Sequence, residues 1–194
     1  MNKQQHSHYL LYKPYGYLSQ FVNNGPKKNS KRLLGELYDF AEGTMAIGRL
    51  DEDSEGLLLL TTDGKVSYDI CSGAIEKEYY AQVDGKITLA AIEKLQQGVE
   101  IGNSGKKYKT KPCHAFHLAE APNLPERAKK IRDSRHGPTS WVSITLTEGK
   151  FRQVKKMTAA VGFPTLRLAR VRIGNLRIHD MQAGEVLPSE TLLV

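Results

Sequence analysis

Hydrophobic and polar positions along this chain follow two different periods, and the alternation between them predicts its elements. Leu57 to Leu60 is a short unbroken apolar run closed by the turn-forming Asp63-Gly64, as a buried strand requires. Asp63 stands where it can cap a helix running from about Lys65 to Cys71. Lys77 to Val83 reads as a strand. Leu89, Ile92 and Leu95 then recur at helical spacing over Thr88 to Gln97, with Gly98 as a stop. Strand patterns return over Pro112 to Leu118 and Ser140 to Leu146, a helical one over Phe151 to Val161, and an alternating, arginine-bearing strand over Thr165 to Ile173. Tyr9 to Phe21, broken by Pro14 and Gly16, predicts a strand, a turn and a second short strand, and a short helix is expected around Leu33 to Phe40. Strands outnumber helices and are joined largely by short turns, so the fold class is α+β with a mixed sheet rather than a doubly wound one.

Between Glu120 and Pro138 the texture changes to prolines and charges, including Arg127, Lys129, Lys130, Arg132 and Arg135. Strand patterns on both sides make this a surface arm rather than a linker between domains. Gly25 to Arg32 is a second basic loop. At 194 residues the chain suffices for one sizeable domain or two tightly fused subdomains, and the formal net charge of +7 makes a polyanion the natural partner. No apolar run approaches the ~20 residues of a spanning helix, and the polar start lacks the apolar core of a secretion signal. Cys71 and Cys113 offer neither a disulfide framework nor metal spacing, which fits a reducing compartment, the cytoplasm.

Several constellations carry candidate chemistry. Asp51 follows Arg49 and precedes the buried run, so a fixed scaffold holds an acidic group, although a charged loop before a core strand is the ordinary reading. Asp51, Glu52, Asp53 and Glu55 open like a calcium loop, but the last position of an EF-hand counted from Asp51 falls on Thr62. A glycosidase-like carboxylate pair is a second reading, whose separation sequence does not measure. On a helix from Phe151, the residues Phe151, Val154, Met157 and Val161 form one apolar face, with Lys155 at its margin and Arg152 and Lys156 turned outward. Strand alternation puts Tyr79 and Tyr80 on opposite faces, so at most one belongs to the core; a tyrosine ring is a good platform for a base, two packing tyrosines on a strand are the commoner case, and periodicity does not choose between them. His114 and His117 lack a third ligand, and no G-x-G-x-x-G, Walker-type or G-x-S-x-G pattern is present.

Four blocks in order, LYKPYGYLSQF (Leu11 to Phe21), GRLDEDSEGLLLLT (Gly48 to Thr61), KEYYAQV (Lys77 to Val83) and EGKFRQVKKMTAAVGFPTLRLARVRIG (Glu148 to Gly174), resemble the RsuA-type family of ribosomal RNA pseudouridine synthases. Ser19-Gln20-Phe21, Pro138 to Trp141 and Phe163 to Leu168 resemble most the branch acting on large-subunit (23S) rRNA. The resemblance implies a catalytic domain with a central mixed, mostly antiparallel sheet flanked by helices and loops, one domain of two fused subdomains over residues 1–194. Since the KPxG segment begins at Lys13, no separate RNA-binding module is expected ahead of it. It further implies that Asp51 is catalytic, Tyr79 packs on the target base, Lys155 pairs with the carboxylate, and Arg49 contacts RNA. Arg152, Lys156, Arg167 and Arg170, with the basic loop and the arm, are expected at the RNA backbone. The expected partner is 23S rRNA, with no membrane, no metal and no small-molecule cofactor, and the expected state is a monomer. A non-catalytic ribosome-assembly factor and a hydrolytic nucleobase glycosylase are the alternatives. Tyr12 and Gln20-Phe21 depart from the residues common in relatives.

Overall fold

The computed structural model describes residues 6–23 and 31–193. In chain order the elements are β1 (His8–Lys13), β2 (Met45–Ile47), β3 (Glu55–Thr61), α1 (Gly64–Ser72), β4 (Lys77–Asp84), α2 (Leu89–Gln97), β5 (Glu100–Asn103), β6 (Lys106–Lys109), β7 (His114–Leu118), β8 (Thr139–Leu146), α3 (Gln153–Ala160), β9 (Thr165–Ile173), β10 (Leu176–Arg177) and β11 (Val186–Ser189). The class is α+β with mostly antiparallel pairing. Two compact units result: one comprises the chain up to Ile75, Pro125–Ala128 and the chain from Arg172, and the other Glu76–Leu124 and Lys129–Val171. Among the described residues no helix is long and apolar enough to cross a membrane.

In the first unit β1 lies between β11 and β3, antiparallel to both, and β2 pairs with the far half of β3. Leu57, Leu58, Leu59 and Leu60 have no exposed surface, so both faces of β3 are covered. This is why its apolar run is unbroken instead of alternating. Tyr9, Leu11, Leu34, Leu58 and Leu60 form a core against which Phe21, Leu37 and Phe40 pack. Asp63 caps α1 as expected, accepting from the Lys65 and Val66 N–H groups at 2.8 and 3.3 Å.

In the second unit the order is β9-β4-β8-β7, with β5 and β6 forming a separate two-stranded hairpin. Ala81, Val83, Ile92, Leu95, Val142, Ile144, Val154, Met157 and Leu168 belong to its core. Gly98, at φ +81°, ends α2 where any Cβ would meet the Thr110 carbonyl oxygen at 2.2 Å, so only glycine lets the chain turn from helix into hairpin.

Three expectations change. The helix expected around Leu33 to Phe40 is a single 3-10 turn, Leu34–Glu36, and the second strand of the leading segment is one bridge between Tyr17 and Arg32. Helix α3 begins at Gln153 because Arg152 adopts a left-handed backbone, which leaves Phe151 outside the helix and 70% exposed. Of the basic loop, Gly25 to Ser30 lie outside the described residues.

Candidate active site

Asp51 sits on the loop between β2 and β3, half-buried. The leading segment after β1 grips that loop by its backbone. Ser19 Oγ accepts from the Leu50 N–H and donates to the Leu50 carbonyl, both at 2.9 Å. The Glu52 carbonyl accepts from the Gly16 N–H at 2.8 Å and from Lys13 Nζ at 3.4 Å. The Ser54 N–H closes the turn on the Asp51 carbonyl at 3.0 Å. Lys31 Nζ holds the Glu52 carboxylate at 2.6 Å. A loop so tied fixes its peptide groups before any ligand arrives, which is the preorganisation a reacting carboxylate needs. Arg49 is exposed beside it.

Glu55, the first residue of β3, is 1% exposed and faces Arg127 Nε at 3.3 Å. The Arg127 guanidinium also lies 4.1 Å from the centroid of the Tyr15 ring. One residue of the arm is thus an internal clamp on the acidic loop. Arg132 likewise pairs with Asp84, whereas Lys129, Lys130 and Arg135 are exposed.

In the second unit Tyr79 is half-buried on β4, opposite Ile144 of β8, and packs against the core. It shares a strand face with the buried Ala81 and Val83, and Tyr80 takes the other face. Helix α3 buries Val154 and Met157, each worth about 2 kcal/mol. Lys155 and Lys156 are half-buried at its margin. Arg152 is exposed at φ +53°, a conformation that costs a non-glycine residue about 1–2 kcal/mol. Gln153 holds that turn, accepting from the Lys150 N–H at 2.8 Å and donating to Glu148 at 2.5 Å. Arg167 and Arg170 on β9, expected at the RNA backbone, are 9% and 3% exposed.

Residues 7–160 match the family model described as RNA pseudouridylate synthase. The chain belongs to the RNA pseudouridylate synthase family. This synthase is 40% identical over 178 residues to ribosomal large subunit pseudouridine synthase E of Xanthomonas campestris pv. campestris, covering 91% of each chain. It is also 40% identical over 178 residues to the Vibrio vulnificus protein of that name, covering 91% of this chain and 72% of that one. The fold agrees with a crystal structure of a pseudouridylate synthase at a TM-score of 0.75 and 24% identity, covering 97% of this chain and 72% of that one.

Lys13 is a residue of the synthase whose part the sequence did not disclose beyond its place in a KPxG segment. Fully buried, it donates to the carbonyls of Tyr17 at 2.7 Å, Pro14 at 2.9 Å and Glu52. Burial pushes its ammonium down to about 8, against the pull of the Glu55, Asp53, Glu52 and Asp51 carboxylates. Below pH 8 Lys13 is charged in both folded and unfolded chains and its burial opposes folding. Between about pH 8 and its ordinary value of 10.5 the unfolded chain holds the extra proton, so this group's contribution grows more favourable as pH rises. Relative to Lys13→Met, the parent gains stability on the order of 3 kcal/mol across that window, read by urea unfolding at pH 7.5 and 10. Parallel pH profiles for the two proteins contradict this assignment.

Proposed function

We propose that this synthase converts a specific uridine of large-subunit ribosomal RNA to pseudouridine, with Asp51 as the reacting carboxylate. The observation that carries the reading is the Asp51 loop, gripped from the leading segment and lying within the family-matched span. Two relatives at 40% identity, each named for the large ribosomal subunit, support the substrate.

The reaction breaks the N1 to C1′ bond of uridine, turns the uracil and joins C5 to C1′. It gains and loses no atoms and changes no oxidation state, so it calls for no cofactor or metal. The target nucleotide is flipped out of its stem at a cost of a few kcal/mol, and stacking on Tyr79 offsets part of that. Asp51 acts at the sugar, by attacking C1′ or by removing the 2′ proton to give a glycal. Lys155 is the cation that the family resemblance assigns to the carboxylate. Arg49, Arg152 and Lys156 are the candidates for phosphate contacts, which fix register without reading sequence. The synthase is taken to act as a monomer, in the cytoplasm where its rRNA substrate is made.

Mapping pseudouridine in large-subunit rRNA from cells with and without this gene tests the reading. One uridine that changes to pseudouridine only when the gene is present is the expected result. Unchanged rRNA points to a binding role in ribosome assembly, and free uracil released by the purified protein points to glycosidic hydrolysis.

A further inference from the structure

The β5–β6 hairpin brings further cations and rings to the start of α3, beside Arg152 and Lys156. Its turn passes through Ser104 and Gly105, both at positive φ, and its outgoing strand and exit carry the exposed Lys106, Lys107, Lys109 and Lys111. Glu148 ties this hairpin to the turn before α3. Its carboxylate accepts from Tyr108 Oη at 2.5 Å, from the Lys111 N–H at 2.9 Å and from Gln153 Nε2 at 2.5 Å. Burial raises the Glu148 carboxyl, yet these donors prevail and hold it below the usual carboxylate range. Its charge is committed to the fold.

What this tie presents outward is an aromatic ring among cations. Phe151 is 70% exposed, beyond the end of the helix whose apolar face it would otherwise join. Lys156 Nζ stands 5.1 Å from its centroid, and Lys150 Nζ stands 4.9 Å from that of Tyr108. Arg152, next in sequence, is exposed in its left-handed conformation. An exposed phenylalanine alone is unremarkable. One held out on a strained turn, with Lys156 Nζ 5.1 Å from its ring centroid, Lys150 and Arg152 on either side of it in sequence, and the exposed Lys111 tied to the same turn through Glu148, matches what unpaired RNA requires, a π-face for a base and ammonium or guanidinium groups for its phosphates.

We propose that Phe151 is a stacking site for an unpaired base of the RNA substrate, distinct from the target uridine, with Lys111 and Lys150 on the adjoining phosphates. The proposal rests on RNA being the substrate, as the functional reading has it. A protein partner fits the site less well, because a lone ring among cations offers little apolar area to bury.

Anisotropy of a fluorescein-labelled single-stranded RNA of about 20 nucleotides tests it. Phe151→Leu weakens binding by about tenfold with its melting temperature unchanged. Phe151→Trp binds as the parent does, and its added indole emission is quenched by the RNA. Lys111→Gln with Lys150→Gln reduces the slope of log affinity on log salt by about 1.4. Phe151→Leu within twofold of the parent, or no quenching in Phe151→Trp, overturns the proposal, as does a protein captured on Phe151 while RNA affinity stays unchanged. These readouts need no turnover. A parent that binds RNA but forms no pseudouridine sinks the functional reading and leaves the stacking result standing.

Discussion

Asp51→Asn abolishes isomerisation and leaves RNA affinity within about threefold, a change under ~1 kcal/mol. Asparagine fills the same space, and the loop around position 51 is held by Ser19, Gly16, Lys13 and the Ser54 N–H through main-chain atoms that the change does not touch. What disappears is the negative charge and with it the group able to work at the sugar. Losses of a single essential group in other enzymes reach ~10⁴ or more, and a loss of at least ~10³ is expected here. A carboxylate facing a polyanion contributes nothing favourable to ground-state binding, so affinity holds or rises slightly. Chromatography of digested RNA measures product, and anisotropy measures binding. Affinity falling in step with activity would mean that the variant has lost its fold, and full activity would remove Asp51 from the mechanism.

Arg127→Ala carries the largest expected cost in stability. It takes from the Glu55 carboxylate, 1% exposed, the guanidinium 3.3 Å away and strips the Tyr15 ring of the group stacked upon it. Removing one partner of a buried pair costs about 3–5 kcal/mol. In a chain of this length that lowers the melting temperature by about 10 °C. Lys129→Ala and Lys130→Ala, on the same arm but exposed, stay within about 0.5 kcal/mol of the parent. Adding Glu55→Gln to Arg127→Ala restores part of the loss, since an amide is cheaper to bury than a charge that has lost a close cation. Equal melting temperatures for Arg127→Ala and Lys129→Ala contradict the clamp.

The contrast between those neighbours marks where sequence stops being legible. Strong local signals carried through: the unbroken leucines of β3, the Asp63 cap, the helical spacing of α2 and the alternation of β4, β8 and β9 all correspond to observed elements. Short elements without an apolar period stayed hidden. β6 is Lys-Lys-Tyr-Lys, which reads as solvated charge, and β11 contains Pro188 and exists only through its pairing with β1 from the other end of the chain. The start of α3 was misplaced because Phe151 continues the apolar stripe, and nothing in the stripe reveals that Arg152 turns left-handed. Within the site, Asp51 stood out by its position before a buried strand. The partnership of Glu55 with Arg127 did not, because two charged residues distant in sequence leave no periodicity when they meet.

A single hydroxyl, that of Ser19, closes both peptide groups of Leu50. Its neighbours Leu18 and Gln20 bond through main-chain atoms, to Arg32 and Leu34. Tolerance of side-chain replacement along these three consecutive positions is therefore uneven. The middle one is confined to residues that offer a donor and an acceptor on the same short arm, while those on either side can change without disturbing the bonds they make.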